Sequence, residues 1–392
     1  MKKIAFVNQR YGLEVNGGSE YYTMLMAERL SKKYEVSVLT TRAIDYVTWE
    51  NYYNQGKEII NGVEVIRFSV DRCRDKDFNI FNRKYMLHIQ NHGRDIEMEN
   101  KWFDKQGPLS TDLIKYIEDN KDLYDAFIFV TYLYYHSVKG LAKVANKSIF
   151  IPTAHEEPYI HFKTFEKIFK LPKAYIFLTN EEKKLVHETF HNDYIKYDVL
   201  GTGVDIPAKI DCGLLNKRYN LNEYIIYVGR IDEEKGCADL FTNFIKYKKK
   251  NNSDLKLVLM GKAVMPIPKH EDIIYLGFVS EEEKFSGIAG AKALVMPSNF
   301  ESLSMVILES MAVGTPVVVN ARCKVLKGHC IKSNAGLYYE DYYEFEGIIN
   351  FLSNNADVYE KMKINAKRYV DENYQWNNII NRFSSIIEYV TI

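Results

Sequence analysis

Long apolar runs are missing from this sequence: nowhere do more than a few hydrophobic residues follow one another. A helix that crosses a bilayer needs about 20 of them, so no membrane-spanning segment is expected. The opening residues MKKIAFVNQRYG place only Ile4–Val7 behind two lysines. That is too little for a secretory leader and enough for a first strand. An excess of charge of either sign is also lacking, with 52 Lys and Arg against 52 Asp and Glu, which removes the usual electrostatic footprint of a nucleic-acid binder. The five cysteines (Cys73, Cys212, Cys237, Cys323 and Cys330) are scattered and none forms a C-x-x-C pair. This argues against a disulfide framework or a structural zinc and for a reduced, cytoplasmic chain. No tandem repeat or low-complexity tract is present.

What the sequence does have is alternation. Short apolar runs such as Ala126–Thr131, Tyr224–Gly229 and Ala293–Pro297 are followed by helical periodicity from one end to the other. Strands that alternate with helices build parallel sheets covered on both faces. A length of 392 residues exceeds one ordinary core. Two doubly wound α/β domains facing each other across a cleft are therefore expected, meeting near Gly201-Thr202-Gly203-Val204-Asp205-Ile206-Pro207. The domains would be residues 1–200 and 201–375, with 376–392 as a terminal helix carrying an apolar stripe (Ile379, Ile380, Phe383, Ile386, Ile387). About residues 70–109, rich in charge and aromatics, interrupt the alternation as an insertion of the kind often used as a lid or specificity element.

In open α/β sheets, ligands gather beyond the carboxyl ends of strands, where helices begin. Four loops fall there. After the first strand, Asn16-Gly17-Gly18-Ser19-Glu20 leads into a helix, and its glycines would let backbone N–H groups approach an anion. It lacks G-x-G-x-x-G spacing, which argues against a dinucleotide cofactor. The loop Val228-Gly229-Arg230-Ile231-Asp232-Glu233-Glu234-Lys235-Gly236 sets an Arg fork and a Lys point charge close together, a combination suited to a diphosphate. A third loop presents His155 in Thr153-Ala154-His155-Glu156-Glu157-Pro158. The fourth is ESLSMVILESMAVGTPVVV, residues 301–319, where Glu301 precedes a short helix and Glu309 lies inside it. At ~1.5 Å of rise per residue the two glutamates are on the order of 12 Å apart, the reach from a sugar ring across a diphosphate to a ribose. Read alone, the pair is equally a cap-region acid and a solvated helix acid.

Taken together, VGRIDEEKG, PSNFESLSMVILESMAVGTPVVV and NGGSE resemble the retaining glycosyltransferases of family 4, which have the GT-B fold of two Rossmann-like domains. The resemblance covers nearly the whole chain apart from the insertion. It implies that Glu301 contacts the hydroxyls of the donor sugar and Glu309 those of the ribose. Amides around Ser304 and Met305 would cradle sugar and phosphate, Arg230 and Lys235 would bind the diphosphate, and Gly17 and Gly18 its far side. His155 corresponds to the active-site histidine beside sugar and acceptor. Many members carry glycines after the first glutamate where this chain has Ser302-Leu303-Ser304, which leaves the sugar preference unread. The terminal helix would cross back onto the N-terminal domain.

The expected reaction moves a sugar from a UDP- or GDP-type donor to a glycan or lipid-linked glycan, with retention and without a metal or other cofactor. Cations and helix N-termini would stabilise the leaving diphosphate. Asp75-Lys76-Asp77 matches a metal-binding D-x-D pattern, but in a run already dense with charge it reads as a solvated loop. For the acceptor, the aromatic faces of Trp102, Phe103 and Tyr134 are the expected sugar platforms. A lipid-linked acceptor would bring peripheral contact with the inner membrane face. An epimerase or phosphorylase of the same fold, and a non-catalytic binding protein, are the competing expectations.

Overall fold

The structure, a computed structural model, describes residues 1–15 and 17–392; Asn16, at the head of the first glycine loop, lies outside the described residues. The chain forms two compact units, Met1–Gly201 with Asn377–Ile392, and Thr202–Trp376. Each is built on its own sheet.

The first sheet holds β1 (Lys3–Val7), β2 (Glu35–Thr41), β3 (Gly56–Ile60), β4 (Val63–Phe68), β5 (Ala126–Val130), β6 (Ser148–Ile151), β7 (Ala174–Phe177) and β8 (Lys196–Val199) in the order 3-4-2-1-5-6-7-8. All neighbours are parallel except β3 with β4. The central strands read as unbroken apolar runs because both faces are covered; every residue of β5 is buried. The second sheet holds β9 (Tyr224–Val228), β10 (Lys256–Met260), β11 (Ile273–Gly277), β12 (Ala293–Met296), β13 (Val317–Asn320) and β14 (Gly336–Tyr339) in the order 11-10-9-12-13-14, entirely parallel. Its direction of winding reverses between β9 and β12. The loops after these two strands therefore diverge and leave a crevice at their carboxyl ends.

Strands β3, β8 and β14 carry no long apolar run in the sequence, and each forms an edge of its sheet. Edge strands carry polar residues and lose the two-sided apolar signal: β3 is exposed along nearly its whole length. A hairpin signal was present there, since Asn61-Gly62 supplies the two positive φ angles of a tight β-turn.

The last helix, Trp376–Val390, buries its apolar stripe in the first unit, where Phe383 packs on Phe6 with ring centroids 6.2 Å apart and the Arg382 Nε–H donates to Asp198 at 3.1 Å. Trp376 itself stays with the second unit. Its Nε1–H donates to Asp205 at 2.9 Å, and its indole lies where a Cβ on Gly203 would be. Among the described residues no helix is long and apolar enough to cross a membrane.

The insertion folds as two helices, Phe78–His92 and Ile96–Gln106. Here the structure corrects the expectation for Trp102 and Phe103: both are buried, at 1% and 3% exposure, in the aromatic core of the first unit. Trp102 packs against Phe78, Tyr159 and Phe162, and its Nε1–H donates to Asn82 at 2.8 Å. A sugar could not reach either face. The residues anchor the insertion, and buried Glu99 does the same by accepting the backbone N–H groups of Lys163 and Thr164 at 2.9 and 2.8 Å. Trp102→Ala is accordingly expected to destabilise the chain by ~3–5 kcal/mol, measured by urea unfolding. A loss below about 1 kcal/mol would show that the core placement is wrong.

Candidate functional site

The crevice of the second unit collects the predicted residues. After β12 the chain runs through Pro297 and Glu301 to Ser304, which takes a left-handed conformation at φ 62° and starts the helix Met305–Ala312. Such a φ costs a non-glycine residue about 1–2 kcal/mol. Ser304 does not repay that strain as a cap: no side-chain bond closes this helix N-terminus, and its Oγ is buried without a hydrogen-bond partner. The first N–H groups of the helix thus keep their partial positive charge for a ligand.

The loop is held from behind by a residue that sequence reasoning missed. His329 is fully buried, with Nε2 2.9 Å from the Leu303 carbonyl oxygen and Nδ1 3.0 Å from the Tyr369 hydroxyl. The carbonyl can only accept, so Nε2 carries a proton directed at it. Nothing in the local pattern near His329 signals this, since its partner lies far away in sequence.

Opposite, the loop after β9 carries Arg230 and Lys235. Arg230 pairs with Asp232 and, at 3.3 Å, with Glu234. Asp232 also accepts the Lys235 backbone N–H at 2.7 Å, which fixes the turn. Gly236 ends it at φ 74°, and a Cβ there would stand 2.4 Å from the Pro297 carbonyl oxygen. Only glycine lets the two loops approach so closely. At that approach the Lys235 ammonium lies 2.7 Å from Glu301. Burial works against the Lys235 charge, and Glu301 more than reverses it, so its pKa is held above that of an ordinary lysine. Farther along the helix, Glu309 is 2.9 Å from Lys284 of the helix Glu281–Gly290. Burial pushes the Glu309 carboxyl up and Lys284 opposes this in part.

The remaining predicted residues belong to the first unit. Gly17 lies before the helix Gly18–Leu30, which also lacks a side-chain cap. A Cβ on Gly17 would meet a carboxylate oxygen of Glu20 at 2.2 Å, and Glu20 is itself buried against Gln9 and Arg10. His155 lies past the end of β6, with Nδ1 3.5 Å from Glu157, whose carboxylate accepts the Tyr132 hydroxyl at 2.5 Å. Its loop is pinned by Glu182, also absent from the sequence reading, which accepts the backbone N–H groups of Ala154 and Leu178, each at 2.6 Å. Burial pushes the Glu182 carboxyl up to about 8 against the pull of these N–H groups. Tyr134 is half-buried beyond β5, edge-on to Trp49 at 5.2 Å. Asp75 and Asp77 both engage the Lys105 ammonium, at 2.8 and 2.7 Å, and among the described residues no group of His, Cys, Asp and Glu side chains is arranged to hold a metal.

Residues 216–369 match the family model described as Glycosyl transferases group 1. The match lies within the second unit, Thr202–Trp376. The whole chain superposes on GT-B structures. One is Anabaena HepE in complex with UDP (TM-score 0.71, 14% identity, 99% of this chain and 100% of that one). Another is sucrose-phosphate synthase from Thermosynechococcus elongatus (TM-score 0.69, 14% identity, 99% and 98%). At such identities the likeness establishes the fold. In sequence, the chain is similar to an uncharacterized glycosyltransferase of Methanocaldococcus jannaschii, 27% identical over 229 residues, 50% of this chain and 55% of the relative. It is also similar to the D-inositol 3-phosphate glycosyltransferase of Jonesia denitrificans, 21% identical over 284 residues, 64% and 65%. The matched part spans about half the length of the first of these relatives. In the second unit, Arg230, Lys235, Glu301, Ser304, Met305 and Glu309 all fall inside the matched residues.

Because Ser304 holds a glycine-like conformation and its Oγ bonds to nothing, Ser304→Gly is expected to raise stability by ~1 kcal/mol in urea unfolding. A fall of that size would show that the serine is held by bonds of its own.

Proposed function

We propose that this chain is a retaining, metal-independent glycosyltransferase that moves a sugar from a nucleoside-diphosphate donor to a glycan or lipid-linked glycan, in the synthesis of a cell-surface polysaccharide or glycoconjugate. One observation carries the reading: the helix N-terminus at Ser304–Met305 has no side-chain cap, and the carboxylates before and within that helix, Glu301 and Glu309, are each met by a lysine, Lys235 and Lys284. The nucleotide lies along that helix, with Glu309 at the ribose, Arg230, Lys235 and the helix amides at the diphosphate, and Glu301 at the hydroxyls of the sugar. The group 1 match, and relatives of the same fold solved with UDP and with UDP-glucose, support a nucleotide-sugar donor. The five free cysteines suit a reducing, cytoplasmic setting.

The chemistry follows from charge. As the anomeric C–O bond breaks, positive charge grows on the sugar and negative charge on the departing diphosphate. Arg230, Lys235 and the helix N-terminus stabilise the second in a partly water-excluded site, where such interactions are strongest. Before donor binds, Lys235 is held by Glu301 and Arg230 by Asp232, so the diphosphate takes over cations that are already in place. The acceptor attacks on the face that the diphosphate leaves, and the diphosphate takes the proton. His155, and Gly17 with Gly18, keep the roles that the family resemblance gives them, beside the reacting sugar and at the diphosphate.

Turnover of UDP-, GDP-, ADP- and dTDP-sugars in excess EDTA tests the reading. One donor is expected to be consumed at an undiminished rate; loss of activity restored by Mg²⁺ or Mn²⁺ would overturn metal independence, and no turnover of any donor would overturn the assignment. With the active donor, Glu309→Ala is expected to weaken binding and Glu301→Ala to cut turnover more than affinity, each by ~1.5–3 kcal/mol. Native kinetics in both variants would contradict the placement of the donor along the helix.

A further inference from the structure

Glu309 can read a ribose only if it presents a charged carboxylate in one orientation, and the side chain that secures both is not part of the motif. Lys284 Nζ lies 2.9 Å from Glu309 and 2.9 Å from Glu281, one turn earlier on the same helix. From the helix Ala356–Asn373, Lys367 lies against Gly314, past the far end of the glutamate's helix. The Lys284 and Glu309 side chains are both largely withdrawn from water, at 14% and 13% exposure. A capping box, Ser280 with Glu283, starts the lysine's helix and fixes where its side chain leaves the backbone.

We propose that Lys284 is the positioning residue that makes Glu309 a reader of ribose hydroxyls, and that it thereby sets the preference for ribonucleotide over 2′-deoxyribonucleotide donors; this rests on the proposed function. A carboxylate accepts from two vicinal hydroxyls at once, and its bonds are charge-assisted. A protonated carboxyl loses that charge and must use one oxygen as a donor. Without the ammonium, Glu309 would be a buried acid with no counter-charge, and burial already pushes its carboxyl up. The sign follows directly. Removing Lys284 raises the Glu309 pKa further, so ribose reading is lost below the new value and returns as pH rises through it.

The test measures dissociation constants of UDP and 2′-deoxy-UDP for the native chain, Lys284→Met, Lys284→Arg, Glu309→Gln and the Lys284→Met/Glu309→Gln double variant; where GDP binds the native chain better, GDP and 2′-deoxy-GDP replace them. The native chain is expected to favour the ribonucleotide by ~tenfold or more. In K284M this ratio should collapse towards one at about pH 7 and recover towards about pH 9, while K284R keeps it. The double variant should be no worse than E309Q alone, because the lysine acts through the glutamate. A native ratio in K284M, a loss that does not recover with pH, or losses that add in the double variant would each overturn the proposal. Lys284→Gln, which keeps a donor but no charge, carries the same test where K284M does not fold. A native chain that binds neither nucleotide would overturn the proposed function and this inference with it, whereas native discrimination that survives in K284M overturns the inference alone.

Discussion

A carboxylate taken out of water must be met by a cation or by a set of N–H donors, and this requirement organises the molecule. Glu20 is met by Arg10 and Gln9, and Glu99 by two amides at the start of the helix Lys163–Ile168. Glu301 is met by Lys235 and Glu309 by Lys284. Each of these bonds joins segments apart in sequence. Breaking one would leave an uncompensated buried charge, which costs far more than the bond itself contributes. The acids therefore act less as sources of stability than as devices that allow one arrangement of loops.

In the second unit this fixes where positive potential remains. The cations are balanced by their own carboxylates, while no side-chain cap meets the amides at Met305. A diphosphate bound there as proposed would meet a dipole already aimed at it and cations that need only exchange partners. Little reorganisation is then required when charge develops, which is the condition under which fixed dipoles lower a barrier most. Gly236 and the His329–Leu303 contact serve the same end by setting the separation of the two loops and the angle at which the helix begins.

The first unit uses comparable physics for a different purpose. Its inserted helices are joined to the sheet by an aromatic cluster in which Trp102 and Phe103 are central. In sequence these rings stand among charged neighbours, Lys101 and Asp104, and so resembled a surface platform. A helix presents neighbouring residues to different sides, and charges beside an aromatic residue do not show that it faces water.

The sequence alone determined the strand–helix alternation and the two parallel sheets it builds, and it offered the motif residues of the second unit as candidates. Unbroken apolar strands and glycines at strand ends are local patterns that survive without knowledge of partners. It could not determine which carboxylate meets which cation. Lys284 reads as one more charge after three glutamates, His329 as a lone histidine and Glu182 as a solvated helix acid, and each acquires a role only through a contact made by the folded chain. Edge strands β3, β8 and β14 escaped for a related reason: a strand with one open side is specified by its neighbour more than by its own residues. Periodicity records what each residue does relative to water, while pairing of buried charge depends on geometry between distant segments, and only the tertiary structure decided it.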